Sequence, residues 1–236
     1  MMQPHRGRAG AVAAAALLAL LLGAVVAACG GSNHGQSVAS LPAGALAPLA
    51  SLQKLSPPGP AGPPGPEGVP VPIAPPLAGG ELASAGSPVD GIRCQASEQV
   101  LFHIHAHLTV VVRGAAGRIP FGIGIPAGQA SQTPAGPFVG TGSCFYWLHT
   151  HAADGIIHIE SPIQRTYTLG NFFDVWGQKL GPTEVGPAVG PVTAFYDGRW
   201  FRGNPRDIPL SKHAQIQLDV GRPLVAPVKI SFPDGL

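Results

Sequence analysis

From about residue 100 onward the chain alternates apolar and polar positions. In "FHIHAHL" (residues 102–108), Phe102, Ile104, Ala106 and Leu108 are apolar, and His103, His105 and His107 take the places between. A period of two belongs to a strand with one face on a core, and the apolar "TVVV" that follows prolongs it toward a turn at "GAAG". "SCFYWLHTH" and "GIIHIES" predict two further strands, joined into a hairpin by the short, glycine-ended "AADG". Then the period changes. In "YTLGNFFDVWGQKL", Leu169, Phe172, Phe173 and Trp176 share one helical face, with Thr168 placed to cap the start and Gly177 the end. "VTAFYDGRWF" reads as a strand, an Asp197-Gly198 turn and a second strand. "HAQIQLDVG" sets Ala214, Ile216, Leu218 and Val220 against His213, Gln215, Gln217 and Asp219, predicting a strand with a solvated polar face. About seven short strands and one short helix make a compact, antiparallel α+β domain that is mostly β.

The N-terminal part follows another logic. Arg6 and Arg8 precede the unbroken apolar run "AVAAAALLALLLGAVVAA" and then Cys29. A basic start, an apolar core and small residues before a cut describe an export signal over residues 1–28. An uncleaved membrane anchor is the alternative, since the run approaches the ~18 residues a spanning helix needs. "VAAC" resembles the lipobox of bacterial lipoproteins, which implies lipidation of Cys29 and a membrane partner through that anchor. From residue 30 to about 91 the chain is rich in Ala, Gly and Pro, and "GPAGPPGPEG" places glycine at every third position. That is too short for a triple helix and reads as a polyproline-type spacer. Every Phe, Tyr and Trp lies beyond residue 101. Because aromatics supply much of a core, residues 29–91 are expected as a disordered spacer and residues 92–236 as the globular head.

Charge and cysteine content sharpen this picture. Without Arg6 and Arg8, the 14 Lys+Arg fall to 12, equal to the 12 Asp+Glu. With no block of like positive charges, nucleic acid is not an expected partner. Lipidation of Cys29 would leave Cys94 and Cys144, an even pair expected to form a disulfide outside the cytoplasm. Two free thiols, or a Cys144 thiolate ligand close to His149, are the competing readings.

Six of the 9 histidines fall in two short stretches, His103, His105 and His107 in one and His149, His151 and His158 in the other. On a strand the first three share a face; so do His149 and His151, and so do His158 and Glu160. If residues 152–155 form the hairpin loop, His149 lies opposite His158 with Cβ atoms ~5 Å apart, a span one ion can bridge. Several imidazoles with or without a carboxylate suit Cu(II) or Zn(II), with binding expected to fall as imidazoles protonate below about pH 6.5. Glu160 has three possible roles: ligand, hydrogen-bond partner of a ligand histidine, or ion-pair partner of Arg165. His107 could instead be a structural histidine, His213 a solvated one, and Asp154 a turn residue. A solvated strand face is the competing explanation for the whole set.

Other chemistries are excluded more firmly. Met1 and Met2 are the only methionines, so a mature chain lacks the axial ligand of a usual blue-copper site. The clustered carboxylates of a calcium cage are missing. Ser161 lacks a G-x-S-x-G setting, "GIGIPAG" has no following lysine for a phosphate loop, and Asp174 and Glu184 form no acid/base couple.

"CQASEQVLFHIHAHLTVVV", "IPFGIGI", "CFYWLHTHAADGIIHIESP" and "YTLGNFFDVWG" together resemble blocks shared by a family of secreted or lipid-anchored prokaryotic proteins. The resemblance covers much of the head and implies a shared fold and shared histidines, but no reaction. "FHIHAH" is also similar to the copper-binding segment of copper/zinc superoxide dismutases, where His103 and His105 would take copper-ligand positions. The zinc-ligand spacing and the glycine- and arginine-bearing loop of that family are not found. The paired H-x-H strands look loosely like a cupin, although Glu160 lies farther from His151 than that motif places its glutamate. The expected function is therefore transition-metal binding on the extracytoplasmic face of the cell membrane. A metal-dependent oxidoreductase or other metalloenzyme, and a structural or interaction module without metal, are the alternatives.

Overall fold

The structure, a computed structural model, describes residues 41–52, 54–80 and 85–236; the expected export signal and Cys29 lie outside the described residues. A central sheet holds β1 (Leu46–Ala47), β2 (Phe102–Val112), β3 (Ala115–Gly117), β4 (Leu148–His149), β5 (Ile156–Ser161), β6 (Val192–Tyr196), β7 (Arg199–Phe201) and β8 (Gln215–Val220). Its order is β1-β7-β6-β8-β2-β5-β4, with β3 paired to the far half of β2. The β8–β2 pair is parallel and the other pairs of this sheet are antiparallel. The domain is mostly β, with one α-helix, α1 (Leu169–Trp176), among the described residues. That is the expected class.

The alternation in β2 does what its period demands. Ala106, Leu108 and Val110 enter the main core together with Ile157 and Ile159 of β5 and with Phe172, Phe173 and Trp176 of α1. Thr168 caps α1 by accepting from the Asn171 backbone N–H, the Asn171 side chain returns a bond to the Thr168 N–H, and Gly177 ends the helix in the left-handed region. The turn after β2 falls at Arg113-Gly114, both at positive φ, so that "AAG" is the returning strand β3 rather than the turn itself.

Two parts of the expectation need correction. First, the folded unit does not start near Ile92. Within the stretch expected as spacer, β1 pairs with β7 through Leu46↔Phe201 and Ala47↔Trp200. Val69 is fully buried, and the Trp176 indole N–H donates to Gly79 O at 2.7 Å. A chain with few side chains can still order itself by lying flat on a sheet, and its glycines let it turn back closely on itself. A Cβ on Gly62 would sit 1.6 Å from Val71 O. Second, the polar face of β8 is not solvated. Gln217 and Asp219 are buried because the C-terminal segment is tied to them. Val225 N–H donates to Asp219 at 2.6 Å, Val228 N–H to Gln217 at 2.8 Å and Ile230 N–H to Gln215 at 2.9 Å.

Both faces of the sheet are thus covered, one by the core with α1 and the other by chain straps. Val69 from the N-terminal strap and Ile230 from the C-terminal one meet Ile156 of β5 in a small second core. All six residues of β5 are buried in consequence. On this strapped face lie His158 and Glu160.

Candidate metal centre

Register brings the histidines together. β5 lies between β2 and β4, and its residues pair on both sides: His103↔Glu160 and His105↔His158 with β2, His149↔His158 with β4. His105, His158 and His149 therefore form one row across three strands, and the expected hairpin register is the one observed. The disulfide between Cys94 and Cys144 is formed. It excludes a thiolate ligand and pins the chain just before β4, where Cys94 pairs opposite Tyr146.

Two overlapping groups have ligand atoms within 4.8 Å of one another: His103, His105, His158 and Glu160, and His149, His151, His158 and Glu160. These histidines, buried except for His103, and the buried glutamate are arranged so that they could hold a metal ion. In the first group His103 Nε2 and His105 Nε2 are 3.1 Å apart, and His105 Nε2 is 3.1 Å from His158 Nδ1. Glu160 Oε1 lies 3.1 Å from His103 Nε2 and 3.2 Å from His158 Nδ1. In the second, His149 Nε2 and His151 Nε2 are 3.2 Å apart. Glu160 Oε2 is 3.9 Å from His149 Nε2 and, though buried, has no hydrogen-bond partner.

Proton positions make the second group informative. His149 Nδ1 donates to Tyr146 O at 2.8 Å and His151 Nδ1 donates to Val139 O at 2.6 Å. A carbonyl oxygen can only accept, so both protons sit on Nδ1 and both neutral rings present bare Nε2 lone pairs. Those lone pairs face each other. A proton on one ring would relieve the repulsion, but burial first, then the charge of His158, holds both histidines below the ordinary imidazole range. A shared cation relieves it as well: two nitrogens ~2.0–2.1 Å from one tetrahedral ion lie about 3.3–3.4 Å apart. The observed spacing is close to that edge.

The first group is satisfied differently. His158 Nε2 donates to Glu67 Oε1 at 2.6 Å, and its Nδ1 faces Glu160 and His105. Burial opposes a charge there, but the hydrogen bonds to Glu160 and Glu67 outweigh it and push His158 up to about 9. Burial likewise works against Glu160, yet His158 holds its carboxyl below the usual range. His105 is pushed down to about 3 by burial and by the neighbouring imidazoles, His158 foremost. Without metal, a positive His158 holds this half together.

His107 stands outside both groups. Its Nε2 donates to Asp154 O at 2.9 Å, and burial pushes the ring down to about 4. The contact is close, since a Cβ on Gly155 would stand 2.4 Å from Leu108 O and 3.0 Å from that same Nε2. The expectation that His107 is a ligand is corrected: its nitrogen is committed to the hairpin loop. Asp154 serves the turn, as expected, accepting from Ile156 N–H at 3.1 Å. His213 is exposed, stacked on Phe232 and bonded to Leu236 O. Glu160 contacts histidines at the site, whereas Arg165 turns to Asp90 O and the Tyr167 ring.

Sequence reasoning missed two carboxylates. Glu67 closes on His158 with a side chain only 7% exposed, and Glu98 Oε1 lies 3.4 Å from His151 Nε2. Glu67 carried one signal, being the sole charged residue between positions 55 and 80. Compared with protein-family models, curated proteins and solved structures, the chain matches none.

Proposed function

We propose that the protein is a lipid-anchored, extracytoplasmic binder of a transition metal, Cu(II) or Zn(II), held by His103, His105, His149, His151, His158 and Glu160. The observation that carries this is the facing pair of bare nitrogens on His149 and His151, which burial keeps from protonating. Imidazole-rich sets with a carboxylate and no thiolate or thioether favour these ions over calcium or Cu(I). A disulfide fits the oxidising compartment that export through a lipoprotein signal implies. Elemental analysis of the purified mature protein, followed by calorimetric titration of chelator-stripped protein, tests the reading. Micromolar or tighter binding of either ion is expected, and protein that carries no metal and takes up none leaves the structural module. Mass spectrometry of the N-terminus checks the anchor, expected as a lipidated Cys29.

One feature favours a metalloenzyme as the second reading. His103 has a side chain 38% exposed while Glu160 beside it is 4% exposed, so one ligand stands at the surface. A loaded protein whose metal exchanges a water for small anions without loss of the ion would support it, through an open coordination position.

A further inference from the structure

The two ligand groups share their centre and differ at their edges. β5 supplies His158 and Glu160 to both; β2 supplies His103 and His105 on one side, and β4 with the residue pair after it supplies His149 and His151 on the other. Each H-x-H pair brings its Nε2 atoms to 3.1 or 3.2 Å, the spacing of two ligands on one ion. The two pairs do not fall within a single 4.8 Å group.

We infer that the site holds two metal ions, joined by the carboxylate of Glu160. Oε1 serves the first ion together with His103, His105 and His158 Nδ1, from which it lies 3.1 Å (His103) and 3.2 Å (His158). Oε2, buried and unpartnered, lies 3.9 Å from His149 Nε2 and serves the second, together with His149 and His151. A carboxylate bridging in this way sets ions about 3.5–4 Å apart, as in two-metal sites. The occupants are divalent transition ions of imidazole preference, either two of one kind or a mixed pair. The sides are unequal. The first ion has four protein donors, one of them, His103, at the surface, while the second has His149, His151 and Glu160, with Glu98 Oε1 at 3.4 Å from His151 Nε2 as the fourth group in reach. With one fewer committed donor, the second ion is the one better able to take water or a small anion at that fourth position.

This inference rests on the metal-binding reading above, and stoichiometry separates the two. The full mature chain is stripped with chelator, loaded with excess Cu(II) or Zn(II), passed through gel filtration and assayed for metal per chain. Two ions per chain are expected, and the Cu(II)-loaded protein should show a spin-coupled electron paramagnetic resonance signal with loss of the isolated-ion spectrum. His103→Ala, at the exposed rim, should lower the count to one and restore an uncoupled Cu(II) signal. His151→Ala should do the same from the other side, with circular dichroism confirming the fold. Glu160→Gln should abolish the coupling. One ion per chain in the parent protein overturns the dinuclear site and leaves metal binding intact. Two ions with uncoupled spectra overturn the shared carboxylate, and no metal at all overturns both readings.

Discussion

If the proposed site takes metal through His158, loading has to displace a proton from that ring, and that proton would govern the pH dependence of binding. His158 Nε2 donates to Glu67, so the nitrogen left for a metal is Nδ1, beside Glu160 Oε1 and His105 Nε2. In the metal-free protein burial opposes a second proton on this ring, but Glu160 and Glu67 together raise it to about 9. A ligating nitrogen must be bare. Between about pH 6 and 8 each chain that takes up metal at Nδ1 therefore releases one proton, and affinity rises tenfold per pH unit. Over those two units the gain is about 100-fold, or about 2.7 kcal/mol. His105, His149 and His151 add no competing proton in this window, because burial holds all three below the ordinary range.

Unperturbed imidazoles behave otherwise, their binding levelling off above about pH 6.5. Here the rise continues toward pH 9. Zn(II) titrations at pH 7 in two buffers of different ionisation enthalpy count the released protons, and chelator competition at several pH values gives the slope. Glu67→Gln removes one support of the His158 charge, so the break in the affinity curve should move to lower pH. A dissociation constant unchanged between about pH 7 and 8, with no proton released, would refute the assignment of His158 Nδ1 as a ligand.

Removing one ligand from a set of three or four should weaken binding at least 100-fold for His149→Ala or His158→Ala, and the double variant should lose less than the sum. His213→Ala should change binding little. His107→Ala should leave metal stoichiometry intact yet cost about 1–3 kcal/mol in denaturant unfolding, since Asp154 O loses its buried donor. The Cys94–Cys144 bridge spans 50 residues, so Cys94→Ser with Cys144→Ser should lower stability by about 4 kcal/mol on a loop-entropy basis. Metal-free protein should lose stability as pH rises from 6.5 to about 9, because His158 is raised in the folded state. The sign follows from the folded chain binding the extra proton there, with an upper magnitude of about 3 kcal/mol; thermal melts across that range would show it, and a flat profile would contradict it.

The elements that sequence made legible are those whose information is local. The period of two in β2, the Thr168 and Gly177 caps of α1, and the hairpin register that sets His149 opposite His158 depend on neighbours a few residues apart. What was not legible depends on partners far along the chain. Gln217 and Asp219 read as a solvated face by every local rule, and become buried only because Val225 and Val228 donate backbone N–H groups to them. His107 has the same spacing as His105, yet β5 presents Ile156 opposite it and His158 opposite His105. A one-strand pattern cannot distinguish those two positions, whereas the pairing does.

Glu67 shows the same limit at the site itself. Composition assigns its segment to a spacer, because Pro and Gly carry little apolar area for a core. But a segment rich in Pro loses less conformational entropy when it orders, and one poor in side chains can lie against a sheet already formed. Placed there, it needs few specific contacts, among them Val69 against Ile156 and Ile230, and Glu67 on His158 Nε2. The second contact fixes the tautomer that turns Nδ1 toward Glu160 and His105, which is the role an outer carboxylate plays for a ligand histidine. The histidine clusters would thus supply the donors of the proposed site, while the strap decides which nitrogen of the central imidazole is left free of a hydrogen bond to Glu67.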